Sequence, residues 1–235
     1  MSVAKRSRFY VIEGLDGSGK STQIGLLLDY LSEQGLSYQY LHFPRTDTSL
    51  YGDLIARYLR GDLGPVGSVH PYLVALIFAG DRYESSEMIN AWLSRDHIVI
   101  TDRYVISNIA FQCAKLKEKK DRAALKQWIL KLEYEHHGIP RPDMSVFLDV
   151  PFRFTKKKLT ASRSGQDRNY LLGNADIHEQ DLELQKKVRQ VYLEIVDEDP
   201  SVRIVDCSDG SGEMLSPELI FTKVRSLLFP KNDNR

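Results

Sequence analysis

Residues Gly14, Leu15, Asp16, Gly17, Ser18, Gly19, Lys20 and Ser21 spell a complete Gly-x-x-x-x-Gly-Lys-Ser run, followed by Thr22. Glycines at these positions let successive backbone N–H groups turn inward around a polyphosphate, and the positive end of a following helix adds to the attraction. Lys20 is placed to reach the outer phosphates, and the Ser21 hydroxyl to take a position on Mg²⁺. An ordinary Gly-rich turn is the competing reading, and the flanks decide against it. The strand-like run Phe9-Tyr10-Val11-Ile12 precedes the loop, while Ile24, Leu27, Leu28 and Leu31 follow at the i, i+3, i+4, i+7 spacing of a helix. The run implies a bound nucleoside triphosphate.

A second constellation closes the apolar segment Ile98-Val99-Ile100-Thr101-Asp102-Arg103-Tyr104. An aspartate at the end of a buried strand is the usual metal-holding partner of a phosphate loop. Arg103 directly after it puts a guanidinium at the same strand terminus, which suits a site holding two phosphorylated substrates; a structural salt bridge is the alternative reading of this arginine.

These groups need a scaffold. Five short β-rich segments, Phe9–Ile12, Tyr38–Phe43, His97–Thr101, Met144–Val150 and Val202–Val205, read as strands buried on both faces of a parallel sheet. Helical stripes lie between and after them: Leu125, Trp128, Ile129 and Leu132; Leu184, Val188, Val191, Tyr192 and Ile195; and, behind a Ser216-Pro217 helix start, Ile220, Val224, Leu227 and Leu228. Alternation of strand and helix implies right-handed crossovers and a three-layer α/β fold with ligands at the carboxyl ends of the strands. The 235 residues suffice for one domain spanning 1–235. The polar span 161–180, with Gly165, Gly173 and Asn174, is expected to be a mobile excursion from it.

With 32 basic and 32 acidic residues, the chain lacks the basic excess of a general nucleic-acid binder. Cys113 and Cys207 have no metal-ligand or redox spacing and read as buried thiols. No apolar run is long enough to span a membrane, and the first strand begins too early to leave room for a signal peptide. A soluble protein of a reducing cytoplasm is expected.

The sequence resembles the thymidylate kinase family, the P-loop enzymes that phosphorylate dTMP with ATP. The likeness runs from Phe9 to about Leu228 and rests on an ordered set. That set comprises the phosphate loop, Phe43-Pro44-Arg45, Phe78-Ala79-Gly80-Asp81-Arg82, Asp102-Arg103-Tyr104 with Ser107 and Asn108 beyond it, and Arg141-Pro142-Asp143. The resemblance implies a P-loop kinase fold with a five-stranded parallel sheet and a lid near 161–180. It also implies MgATP and dTMP as substrates, Ser21 and Asp102 at the metal, and a homodimer.

By the same resemblance, Asp16 accepts the 3′-hydroxyl of the acceptor nucleotide, and Arg45 and Arg103 hold its phosphate. Phe78 stacks on the pyrimidine, Arg82 reaches the base carbonyl, and Ser107 and Asn108 line the base edge near Tyr104. A core phenylalanine and a solvated helix arginine are the competing readings of Phe78 and Arg82. Gly17 after Asp16 resembles the members that carry their catalytic arginines in the lid, with Arg163 and Arg168 as candidates. Three features depart from the pattern. The span from Arg168 to Glu179 is longer than the usual lid, the spacing from Pro44 to Gly52 is shifted by one residue, and Asn108 stands where glycine or threonine is more familiar. A kinase for another pyrimidine monophosphate (dUMP or UMP) or a deoxynucleoside, and a nucleotide-dependent switch, remain as alternatives.

Overall fold

The computed structural model describes residues 9–48, 50–160 and 166–230, with only the backbone described at 166–168. Strands β1 (Phe9–Gly14), β2 (Tyr38–His42), β3 (Ile98–Asp102), β4 (Met144–Asp149) and β5 (Val202–Asp206) form one parallel sheet in the order β2-β3-β1-β4-β5. Helix α1 (Lys20–Glu33) leaves the phosphate loop. It is followed by α2 (Leu50–Arg60), α3 (Pro71–Ser94), α4 (Val105–Cys113), α5 (Lys119–Leu130), α6 (Phe152–Thr160), the short α7 (Ile177–Gln180), α8 (Leu182–Glu198) and α9 (Pro217–Leu228).

Alternate residues of the strands feed two cores, as the two-residue period of a strand requires. Tyr10, Ile12, Ile98, Ile100, Val146 and Leu148 pack against Ile24, Leu27 and Leu31 of α1 and Ile220, Val224 and Leu228 of α9. Phe9, Val11, Val99 and Phe147 point the other way, toward Ile109 of α4, Leu125 and Ile129 of α5, and Val188 and Tyr192 of α8. The helix starts follow their local chemistry: the Ser216 hydroxyl accepts from the Leu219 amide ahead of Pro217, and His70 caps α3 ahead of Pro71.

Two expectations need correction. The outer strands β2 and β5 are only half-buried, because each lies at a sheet edge with one neighbour. The α5 stripe does not end as one α-helix: it widens into a π-helical turn over Lys131–His136, where Glu133 is buried. Within the span expected to leave the core, Gln166–Leu171 forms a 3₁₀ turn and α7 follows. This part is docked, with Leu171 buried, Arg60 donating to the Tyr170 carbonyl at 2.8 Å, and the His178 ring stacked on Phe111 at 5.1 Å. Both cysteines are free and buried. Among the described residues, no helix is long and apolar enough to cross a membrane.

Candidate active site

The carboxyl ends of β1, β2 and β3 open on a cleft of about 1030 Å³. One wall is the phosphate loop. Gly17 (φ 73°) and Gly19 (φ 86°) adopt left-handed backbone that L side chains avoid, and Gly19 delivers the chain into α1. Lys20 is buried, and its ammonium donates to the Leu15 carbonyl at 3.0 Å and the Gly14 carbonyl at 3.5 Å. Burial, then the neighbouring Arg103 charge, lowers its pKa, against Asp102, Asp16 and Glu13, which support the cation. Gly17, Lys20 and Ser21 line the cleft, whereas Leu15 packs in the core and Thr22 is exposed on α1. The Ser18 hydroxyl is buried with no protein partner.

β3 supplies the opposite corner. The β2–β3 register sets His42 beside Asp102 and brings the imidazole Nδ1 to 3.4 Å from Oδ2. The other carboxylate oxygen, Oδ1, is buried without a partner. Burial would raise the Asp102 pKa, but the charge of Lys20 and the His42 hydrogen bond outweigh it and hold the group ionised. An anionic oxygen short of a partner, in the cleft that Ser21 also lines, is a hard-oxygen donor of the kind Mg²⁺ uses with nucleotide phosphates.

Arg103 turns the corner from β3 to α4 with φ 65°, an uncommon conformation for a residue with a side chain, and such strain concentrates at functional sites. Its Nη2 donates to Asp16 Oδ1 at 2.5 Å and its Nη1 to the Ser107 hydroxyl at 3.0 Å, with the guanidinium 5.1 Å from the Phe111 ring centre. So the salt-bridge reading of Arg103 holds together with its place in the cleft. Burial would raise Asp16, yet Arg103, Lys20 and the Gln185 hydrogen bond bring its pKa down to about 2. Arg45 is clamped by Asp81, which takes its amide at 2.9 Å and its Nε at 2.8 Å, while Nη2 reaches the Asp81 carbonyl at 2.9 Å. Both arginines line the cleft, as do Phe78, Arg82, Tyr104, Ser107 and Asn108.

The burial of these last residues differs from the simple expectations. Arg82 is not solvated: it is 2% exposed and donates through Nε and Nη2 to Glu133 at 2.5 and 2.6 Å. Phe78 is half-buried and packs at the edge of a small cluster with Ile55, Tyr58 and Val74. The Tyr104 hydroxyl donates to the Pro140 carbonyl at 3.2 Å and its ring meets Phe9 and Phe43, so it holds the cleft floor. Asp143 accepts the Phe9 amide at 2.9 Å, a contact that fastens β1. Arg163 lies outside the described residues, and the Arg168 side chain does as well.

Several functional partners escaped the sequence reading. Glu13 is fully buried at the end of β1 and accepts from the Tyr104 amide (3.0 Å), the Ser107 amide (3.3 Å), the Ser107 hydroxyl (2.6 Å) and the Tyr192 hydroxyl (2.8 Å). A carboxylate inside an apolar strand was the available signal, since burying it demands donors. Gln185 donates to Asp16 at 2.7 Å and to the His178 carbonyl at 3.0 Å, tying α8 to both the phosphate loop and the docked segment. An amide inside the Leu184–Val188–Tyr192 stripe was its signal. Asp176 and His178, which also line the cleft, carried none.

A P-loop at the end of a central parallel strand, an acid-ended neighbouring strand and two arginines in one cleft define a P-loop phosphotransferase site. The family model described as thymidylate kinase matches residues 12–216. The thymidylate kinase of Mycobacterium tuberculosis is 35% identical over 185 residues, covering 78% of this chain and 83% of the relative. That of Schizosaccharomyces pombe is 32% identical over 220 residues, covering 92% and 95%. A solved thymidylate kinase structure from Candida albicans superposes with a TM-score of 0.68 at 27% identity, covering 95% of this chain and 91% of the other. The chain belongs to the thymidylate kinase family.

Proposed function

We propose that this chain transfers the γ-phosphoryl group of ATP to dTMP, giving ADP and dTDP. The observation that carries the mechanism is one cleft lined by the phosphate loop, by Arg45 and Arg103, and by Phe78, Arg82 and Asn108. Donor phosphates belong on the loop amides and Lys20. The acceptor phosphate belongs on Arg45 and Arg103, whose guanidiniums grip phosphate oxygens in a fixed geometry. Mg²⁺, held by Ser21 and Asp102, supplies charge neutralisation at the transferring group when bound. A phosphate monoester is largely dianionic at neutral pH, so no general base is required to make it a nucleophile. Rate acceleration then comes from alignment and preorganised charge. Asp81 and Asp16 keep the two acceptor-side arginines aimed before substrate arrives.

The base belongs beside Phe78, where its O4 accepts a hydrogen bond from Arg82 and its N3–H donates one to the Asn108 carbonyl oxygen. Asp16 accepts the 3′-hydroxyl. Arg163 and Arg168 serve the donor phosphates from the lid, and closure excludes the water that would hydrolyse ATP. We place the enzyme as a homodimer in a reducing cytoplasm. The exposed Leu73, Leu76 and Tyr83 on one face of α3, and the two free cysteines, support that reading. A panel of dTMP, dUMP, UMP and thymidine with ATP, read by ADP release, tests it. Acceptor-independent hydrolysis favours a switch, and preference for thymidine favours a nucleoside kinase.

A further inference from the structure

Glu133 has no place in the transfer chemistry, yet it is fully buried and touches both residues of the base edge. It sits in the π-helical turn that interrupts the end of α5, a local register change of the sort that recurs at functional sites. Its Oε1 accepts from Arg82 Nη2 at 2.6 Å and from Asn108 Nδ2 at 3.0 Å, and its Oε2 accepts from Arg82 Nε at 2.5 Å. The second Asn108 amide hydrogen goes to the Ala75 carbonyl at 3.0 Å. With both hydrogens spent on acceptors, the amide has one allowed orientation, and its Oδ1 is the buried atom left with no protein partner. On Arg82 the nitrogen left without a protein acceptor is Nη1. Both residues line the cleft, Arg82 with a nitrogen that has no protein acceptor and Asn108 with an oxygen that has no protein donor.

Resting on the dTMP reading above, we infer that Glu133 is the positioning residue that sets the polarity of base recognition, selecting keto over amino pyrimidines. Thymine and uracil present a carbonyl at C4 and an N–H at N3, which match the Arg82 donor and the Asn108 acceptor. Cytosine presents the reverse: its N4 amino group meets a guanidinium, and its N3 lone pair meets an amide oxygen. A site built this way rejects the wrong edge strongly, because its own buried polar groups are left unpaired. Asn108 cannot adapt by rotating, since its oxygen would then face the Glu133 carboxylate and the Ala75 carbonyl. In Glu133→Gln, one oxygen becomes a donor that faces Arg82 or Asn108, both donors themselves, so one of the two loses its anchor.

The test is the ratio of kcat/KM for dTMP to that for dCMP, measured in the wild type, in Glu133→Gln and in Glu133→Asp. Glu133→Asp keeps the charge but withdraws it by one methylene, and it stands in if the glutamine variant does not fold. Expected is a strong wild-type preference for dTMP and a fall in that ratio of about tenfold or more in each folded variant, mainly through KM for dTMP. A purely structural role would depress both substrates together and leave the ratio in place. A wild type active on dTMP with variant ratios within twofold of its own overturns the inference alone. A wild type inactive on dTMP overturns the functional reading and this inference with it.

Discussion

Replacing Glu13 with glutamine probes how the fold aims Arg103. In the native protein, four donors converge on this carboxylate: the Tyr104 and Ser107 amides and the Ser107 and Tyr192 hydroxyls. Ser107 in turn receives Arg103 Nη1. A hydrogen bond to an ionised group contributes about 1.5–3 kcal/mol and a neutral one about 0.5–1.5, so neutralising the acceptor costs about 1 kcal/mol per bond. The two hydroxyls can turn and accept from the new amide, which recovers part of the loss. The net destabilisation is about 2–4 kcal/mol, or a Tm lowered by roughly 4–16 °C in a domain of this size. Arg103 keeps its bond to Asp16, so kcat for dTMP falls only by about tenfold. Thermal unfolding followed by circular dichroism, with steady-state kinetics on the same preparation, reads both. A Tm within 1 °C of wild type would refute the idea that this carboxylate holds the start of α4.

Lys20→Met should leave the far-ultraviolet spectrum unchanged and lower kcat by about a thousandfold, the loss of one preorganised charge on the transferring group; wild-type turnover would remove Lys20 from the mechanism. Gly52→Ala would place a Cβ 2.1 Å from the Arg45 carbonyl oxygen. The resulting shift of Arg45 should raise KM for dTMP about tenfold with KM for ATP unchanged; equal effects on both would contradict a role confined to the acceptor side. Asp176 has its pKa raised from 3.8 to about 7, by burial first and then by the charge of Asp16. Between about pH 4 and pH 7 the folded chain retains a proton that the unfolded chain has released, so stability falls as pH rises through this window, by at most about 4 kcal/mol. Denaturant titrations of Asp176→Asn should show a flatter profile there; a slope equal to wild type would exclude Asp176 as its source.

The fold was legible because its determinants are local. Two-sided burial writes continuous apolar strands, and the Ile24–Leu31 stripe writes the first helix. The phosphate loop and the acid-ended third strand needed no tertiary information either. Edge exposure in β2 and β5 was not legible, because strand order depends on crossovers that no single segment encodes. The site's supporting shell was hidden for a related reason. Glu133, Asp81, Gln185 and Glu13 come from four elements spread between residues 13 and 185, and each acts by meeting a partner distant in sequence. A polar residue on a buried face signals that a partner exists without saying which. Arg45 and Arg82 could be marked as phosphate- and base-facing, but only their pairing with Asp81 and Glu133 shows how they are held.

The most direct measurement follows the phosphorus atoms themselves. With MgATP and dTMP present, ³¹P NMR of the reaction should show the β-phosphorus of dTDP growing in step with ADP, one for one, with no inorganic phosphate. Phosphate released in place of dTDP, or ADP formation indifferent to dTMP, would contradict transfer between two anions held face to face in this cleft.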